Sequence, residues 1–191
     1  MTGRPAVFLD RDGVLNDAVV DEMGGSRSPR TLAEFRIASD APAEIARLRA
    51  GQLVPVVVTN QPDVARGKLT TEDADEMTRR LRVELGLELV YECRHDNSRQ
   101  CACRKPRPGL LLDAAGAHDL DLARSWLIGD RWVDVAAARA AHVRPVLLER
   151  PWSWRGSSSG EPPVGLVPAH TARSLEACVD YVLGLLDLAA P

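Results

Sequence analysis

Apolar and polar positions alternate in two rhythms along the chain. Short runs of strand type stand at Val7–Leu9, Leu53–Thr59, Leu87–Cys93, Ser125–Ile128 and Pro145–Leu148. The Val-rich run over 53–59 has no polar face, the pattern of a strand buried on both sides in a parallel sheet. Between the runs lie stretches of helical period. Pro42–Ala50 places Ile45 and Leu48 on one side and stops at Gly51. A second helix starts at Thr70-Thr71-Glu72 and runs to Leu85, with Met77, Leu81 and Leu85 on one face. Further helices are predicted over 108–117 and 133–141. The last, over 172–186, buries Leu175, Val179, Val182 and Leu186. Two segments lack periodicity and read as loops: 16–31, and the Pro-, Gly- and Ser-rich stretch 151–165, whose Trp152 and Trp154 are candidates to line a mouth but are read first as packing on the body. Strands alternating with helices predict an α/β fold with a doubly wound, mainly parallel sheet.

Composition narrows the function classes. The chain has 191 residues, enough for one domain over 1–191, and is 45% hydrophobic and 27% charged. A net charge of -3 gives no basic surface for nucleic acid, so no nucleic-acid partner is expected. No apolar run approaches the ~20 residues of a membrane helix, so no membrane partner is expected either. Met1–Pro5 leads straight into a strand with no signal-type apolar segment, which predicts a cytoplasmic protein, read here as a monomer.

The strand ends carry the candidate chemistry. Val7–Leu9 runs into Asp10-Arg11-Asp12-Gly13, two carboxylates spaced to project together from a strand tip. Taken alone, such a run is as often a polar turn. Two further strands also end in polar tips, however: Thr59-Asn60-Gln61 and Gly129-Asp130, with Asp134 four residues on. In an open α/β sheet, ligands bind at the carboxyl ends of the strands. Gathered carboxylates suit Mg²⁺, which typically takes one or two of them together with substrate phosphate and water. Lys105 stands out as one of only two lysines, beside Arg104; the pair is either a solvated surface pair or a phosphate contact. Cys93, His95, Cys101 and Cys103 make C-x-H-x5-C-x-C, a complete ligand set for structural Zn²⁺ in the loop 93–103. Cys178 falls on the apolar side of the last helix as a core thiol, and His118, His142 and His170 read as surface or helix residues.

Four segments in order, Asp10-Arg11-Asp12-Gly13-Val14, Val58-Thr59-Asn60-Gln61, Lys105-Pro106 and Gly129-Asp130-Arg131, resemble the motifs of haloacid dehalogenase-like phosphohydrolases. The Cys/His segment is similar to that of the zinc-containing branch, which holds the D-glycero-D-manno-heptose 1,7-bisphosphate 7-phosphatases and the histidinol-phosphate phosphatases. The resemblance spans roughly residues 6–148 and implies a Rossmann-like sheet with no large cap domain. It implies Asp10 as nucleophile, Asp12 as general acid and base, and Thr59 and Lys105 as holders of the transferring phosphoryl group. It further implies Mg²⁺ at Asp10, Asp130 and the backbone carbonyl of Asp12, with Asn60, Gln61, Arg104 and Arg131 toward the substrate. Both proton steps at Asp12 call for a pKa nearer neutrality than the free value of ~3.9. The implied reaction is hydrolysis of a sugar phosphate monoester, the heptose bisphosphate first and histidinol phosphate or another small phosphate ester second. The chain departs from the heptose enzymes at Pro62-Asp63, where they carry Ser-Gly, and at Arg131, where they carry lysine. The loop over 17–30 is also longer and holds Arg27 and Arg30, candidate contacts for a second phosphate.

Overall fold

Four residues, Ala6–Leu9, form a strand (β1) with every side chain buried. They lie at the centre of the molecule, which the computed structural model describes over residues 3–187. A small hairpin of β2 (Val19–Val20) and β3 (Ser26–Arg27) follows, then α1 (Ala41–Ala50), β4 (Val54–Asn60) and the short α2 (Pro62–Ala65). Next come α3 (Thr71–Leu85), β5 (Val90–Cys93), α4 (Gly109–His118), β6 (Trp126–Gly129) and α5 (Trp132–Ala140). β7 (Arg144–Leu148), β8 (His170–Ala172) and α6 (Leu175–Asp187) complete the order.

The main sheet runs β5-β4-β1-β6-β7-β8, and each pairing in it is parallel. Because successive side chains on a strand face opposite ways, the sheet feeds two separate cores. Val7, Leu9, Val57 and Ile128 pack with Ile45 and Leu48 of α1, Met77 and Leu81 of α3 and Val179 of α6. Ala6, Phe8, Val56, Val58 and Leu127 pack with Leu110 and Leu111 of α4 and Ala137 and Ala138 of α5. This is the doubly wound α/β architecture that the alternating pattern predicts. Cys178 is fully buried in the first core, as its position on the helix implies. No helix among the described residues is long and apolar enough to cross a membrane.

Several elements differ from the sequence reading. The segment 16–31 contains the β2–β3 hairpin, closed by the Asp21 carboxylate, which accepts the N–H groups of Met23 (3.0 Å) and Gly25 (2.7 Å). A side-chain-stapled turn leaves no hydrophobic period to detect. The run 87–93 pairs only from Val90, while Leu87 is buried ahead of the strand. β8 was not expected at all: His170-Thr171-Ala172 has no apolar pattern and is held at the sheet edge by its ladder to β7. His170 therefore lies in a strand, stacked on Tyr181 at 4.1 Å between ring centroids. Leu186, expected in the core, is only half-buried.

Candidate active site

The chain leaves β1 toward β4 and β5, then returns to the other side of β1 through β6, so the direction of winding reverses between β1 and β6. The crevice at that reversal receives Asp10 from β1, Thr59 and Asn60 from β4 and Asp130 from β6. All four residues line a cleft of about 300 Å³. Two glycines make the approach possible. A Cβ on Gly13, which has φ +91°, would collide with the Asp130 carboxylate, and one on Gly129 would collide with Asp134.

Three buried carboxylates and one buried ammonium form the floor. Lys105 is 1% exposed, and its Nζ lies 2.9 Å from Asp10 Oδ1, 2.6 Å from Asp134 Oδ1 and 2.8 Å from the Val58 carbonyl. The ammonium is thereby paired with two carboxylates and hydrogen-bonded to a carbonyl. Burial opposes the lysine's charge, but the Asp10 and Asp134 carboxylates outweigh it and hold the pKa above the usual lysine range. One cation does not neutralise three acids. Burial, offset in part by Lys105, pushes the Asp10 pKa up to about 6. Burial and the charges of Asp10 and Asp134 push Asp130 up to about 8. Oxygens of Asp10, Asp130 and Asp134 lie within 4.8 Å of one another, and Asp130 Oδ1 is buried with no hydrogen-bond partner. An excess of negative charge around an orphaned, buried oxygen fits a divalent cation with hard oxygen ligands.

Asp12 lines the same cleft, but its environment differs from the one expected. Its Oδ1 accepts from Arg11 Nε at 3.0 Å, and its Oδ2 from Gln61 Nε2 at 2.7 Å and Arg11 Nη2 at 3.2 Å. Burial alone would raise this carboxyl. The Arg11 guanidinium and these hydrogen bonds instead hold it below the usual carboxylate range, not nearer neutrality. Arg11 is itself fully buried, its guanidinium 5.6 Å from the Phe35 ring centroid. Gln61 is also fully buried and spends its amide N–H groups on Asp12 and on Thr59 Oγ1 (2.9 Å). The Asn60 amide is engaged at both ends, donating to the Lys105 carbonyl and accepting the Lys105 N–H, each at 3.0 Å. The Asn60 amide and the Gln61 N–H groups thus hold Asp12, Thr59 and Lys105, while Gln61 Oε1 is buried without a partner.

Five arginines line the cleft. Arg27 is bidentate to Glu34, Arg30 meets Asp63 at 2.7 Å, and Arg66 meets Asp96 at 2.6 Å. Arg131 reaches back to Ser26 of the hairpin. Arg104 differs from the rest in its two unpaired donors, Nε and Nη1. Among the described residues it has no carboxylate partner; its Nη2 donates to Ser158 Oγ at 3.2 Å, while Nε and Nη1 are buried and unpaired. The sequence reading missed Trp152 and Ser153 as site residues. Trp152 Nε1 donates to Asp130 Oδ2 at 2.5 Å, and Ser153 Oγ to the Asp130 carbonyl at 2.6 Å. No spacing rule links residues so far apart in a loop. Asp134, by contrast, was visible through its i,i+4 relation to Asp130.

The Cys/His loop closes on itself. Cys101 Sγ lies 3.5 Å from Cys93 Sγ and 3.3 Å from Cys103 Sγ, and His95 Nδ1 lies 3.3 Å from Cys103 and 3.7 Å from Cys93. All four cysteines are unpaired thiols. Tetrahedral Zn–S bonds of about 2.3 Å put ligand atoms about 3.8 Å apart, close to these separations. The four ligand atoms therefore fit one zinc ion with no open position. Lys105 follows Cys103 by two residues, so the same loop sets the lysine's backbone.

Comparison with known proteins places the site in context. A HAD-hydrolase-like family model matches residues 102–150. The D-glycero-β-D-manno-heptose-1,7-bisphosphate 7-phosphatase of Helicobacter pylori is 36% identical over 166 residues, covering 81% of this chain and 92% of its own length. The chain belongs to the haloacid dehalogenase-like phosphohydrolases. The Escherichia coli enzyme of the same name is 35% identical over 158 residues, covering 76% of this chain and 79% of its own. The D,D-heptose 1,7-bisphosphate phosphatase of B. bronchiseptica, crystallised with magnesium and phosphate, has a TM-score of 0.78 at 27% identity and covers 95% of this chain and 99% of its own. This haloacid dehalogenase-like chain is a phosphoric monoester hydrolase, with the sheet of that family and, among the described residues, no large cap.

Proposed function

We propose that the chain is a Mg²⁺-dependent sugar-phosphate phosphatase. We assign its substrate as D-glycero-D-manno-heptose 1,7-bisphosphate, hydrolysed at the 7-phosphate. The names of its relatives support the reaction class and the sugar. Arg104 carries the bisphosphate assignment. A partly buried guanidinium with two orphaned donors, in the same cleft as Asp10, fits a second anionic group on the substrate.

The residues divide the work as follows. Asp10 Oδ1 accepts from Lys105 and from the Arg11 N–H, which leaves Oδ2 as the oxygen free to attack phosphorus in line. The bond formed is O–P on Asp10, and the bond broken releases the sugar alkoxide. Asp12 donates its proton to that alkoxide, then accepts one from the water that attacks the aspartyl phosphate. Its low pKa in the free protein rises when a phosphate dianion enters beside it, since like charge disfavours the carboxylate. Thr59 and Lys105 hold the transferring group, and Gln61 and Asn60 fix Asp12 and Lys105 behind them. Asp10, Asp130 and the backbone of Asp12 would hold Mg²⁺, which when bound supplies positive charge to the phosphoryl oxygens. Cys93, His95, Cys101 and Cys103 would hold a structural Zn²⁺. The chain is read as one domain and as a monomer.

A panel of phosphate esters with Mg²⁺ tests this reading. kcat/KM should favour the bisphosphate over the corresponding monophosphates by about tenfold or more, the worth of one charge-assisted contact. Arg104→Met should erase that preference while monophosphate turnover persists. Equal rates on both ester classes, or a preference for histidinol phosphate, would contradict the assignment.

A further inference from the structure

We propose that Trp152 sets the metal preference of the site by reserving one oxygen of Asp130. The indole N–H donates to Asp130 Oδ2 at 2.5 Å, and Trp152 is 8% exposed, so water does not compete for the contact. Oδ2 is confined from the other side as well, since a Cβ on Gly13 would strike it. The main chain at this point is pinned independently. Ser153 Oγ donates to the Asp130 carbonyl at 2.6 Å and accepts the Arg150 N–H at 2.8 Å, and the Trp132 N–H donates to the Ser153 carbonyl at 2.9 Å. Of the two Asp130 oxygens, Oδ1 is the one left buried and unpartnered, on a residue of the acidic cluster. Asp130 is therefore built to give one oxygen to an ion, not two.

That restriction discriminates between ions. Mg²⁺ takes six oxygens at 2.0–2.1 Å in near-octahedral geometry and suits single-oxygen carboxylate ligands. Ca²⁺ takes up to eight oxygens at longer distance and readily uses both oxygens of one carboxylate. To do so here it would have to strip the indole hydrogen bond from a buried, charged acceptor. Trp152 is thus a positioning residue, acting on the ion through Asp130.

The inference rests on Asp130 being a ligand of the catalytic ion, and the test separates the two claims. Mg²⁺ and Ca²⁺ binding to the zinc-loaded, Mg²⁺-free protein is measured by titration calorimetry. Trp152→Phe keeps the ring and removes the donor; the ratio of Mg²⁺ to Ca²⁺ affinity should fall by about tenfold, the worth of one hydrogen bond to a charged group. Trp152→His, which retains an N–H, should recover part of the ratio. In the unaltered protein, the Trp152 indole ¹H–¹⁵N resonance should stay downfield with Mg²⁺ and move upfield with Ca²⁺; this reading does not depend on any variant folding. An unchanged ratio in folded Trp152→Phe, or an indole resonance indifferent to the ion, overturns the role of Trp152. Asp130→Asn binding Mg²⁺ as tightly as the unaltered protein overturns the ligand assignment beneath it.

Discussion

Lys105 shows how a single residue organises the site. A lysine sealed from solvent needs compensating charge, and its ammonium is paired with two carboxylates and hydrogen-bonded to a carbonyl. Its scarcity in the sequence marked it, whereas its burial and its bond to Asp134 did not follow from spacing. Asp10 and Asp130 were legible because each follows an apolar run directly. Asn60 and Gln61 were legible as part of a motif, but the hydrogen bonds of the Asn60 amide and the Gln61 N–H groups to neighbouring residues emerge only in the assembled β4 tip. The acidic cluster has a measurable consequence. Between the ordinary carboxylate pKa of 3.8 and about 8, folded Asp130 retains a proton that the unfolded chain has released. Raised carboxyl pKa values therefore make stability fall as pH rises through that window. Thermal unfolding of the Mg²⁺-free, zinc-loaded protein should lose on the order of 2–5 °C between about pH 6 and about pH 8. Added Mg²⁺ should stabilise more at the upper end of that range, because the ion binds the ionised carboxylates. A melting temperature that rises over that interval without Mg²⁺ would argue against an uncompensated cluster.

At the scale of elements, two loops shape the site. The β2–β3 hairpin hands Arg27 to Glu34 and gives Ser26 to Arg131, so the segment over 17–30 braces one wall of the cleft. Asp63 occupies Arg30, whereas Arg104 has no carboxylate partner among the described residues and keeps Nε and Nη1 unpaired. The gathering of Cys93, His95, Cys101 and Cys103 was legible, because these residues are close in sequence and their chemistry is distinctive. The Cys/His loop reaches Lys105 through Cys103, two residues before it, and Asn60 fixes the lysine's backbone from β4. Cys101→Ser should lose zinc, read by elemental analysis. Turnover should fall about tenfold or more as the lysine's placement loosens, since small misplacements at a phosphoryl site cost that much. Mg²⁺ affinity should stay within about twofold, because none of the carboxylates lies on that loop. Full zinc content in Cys101→Ser would refute the ligand set.

At the scale of the whole molecule, the sheet was legible because parallel strands buried on both faces announce themselves as apolar runs flanked by helices. β8 and the hairpin were not, since edge pairing and side-chain-closed turns rest on contacts with the rest of the fold and leave little local pattern. The all-parallel order places Asp10, Thr59 and Asp130 at one crevice from three distant parts of the chain. From that convergence we propose Asp10 as the attacking group, and covalent catalysis there is the central proposal. The direct measurement is rapid acid quenching of ³²P-labelled substrate turning over with Mg²⁺, followed by mapping of the label. Up to one phosphoryl group per chain should be trapped as an acyl phosphate on Asp10. Asp10→Asn should show neither label nor turnover while keeping its fold and zinc. Phosphate release at the full rate by Asp10→Asn, or label found on another residue, would contradict it.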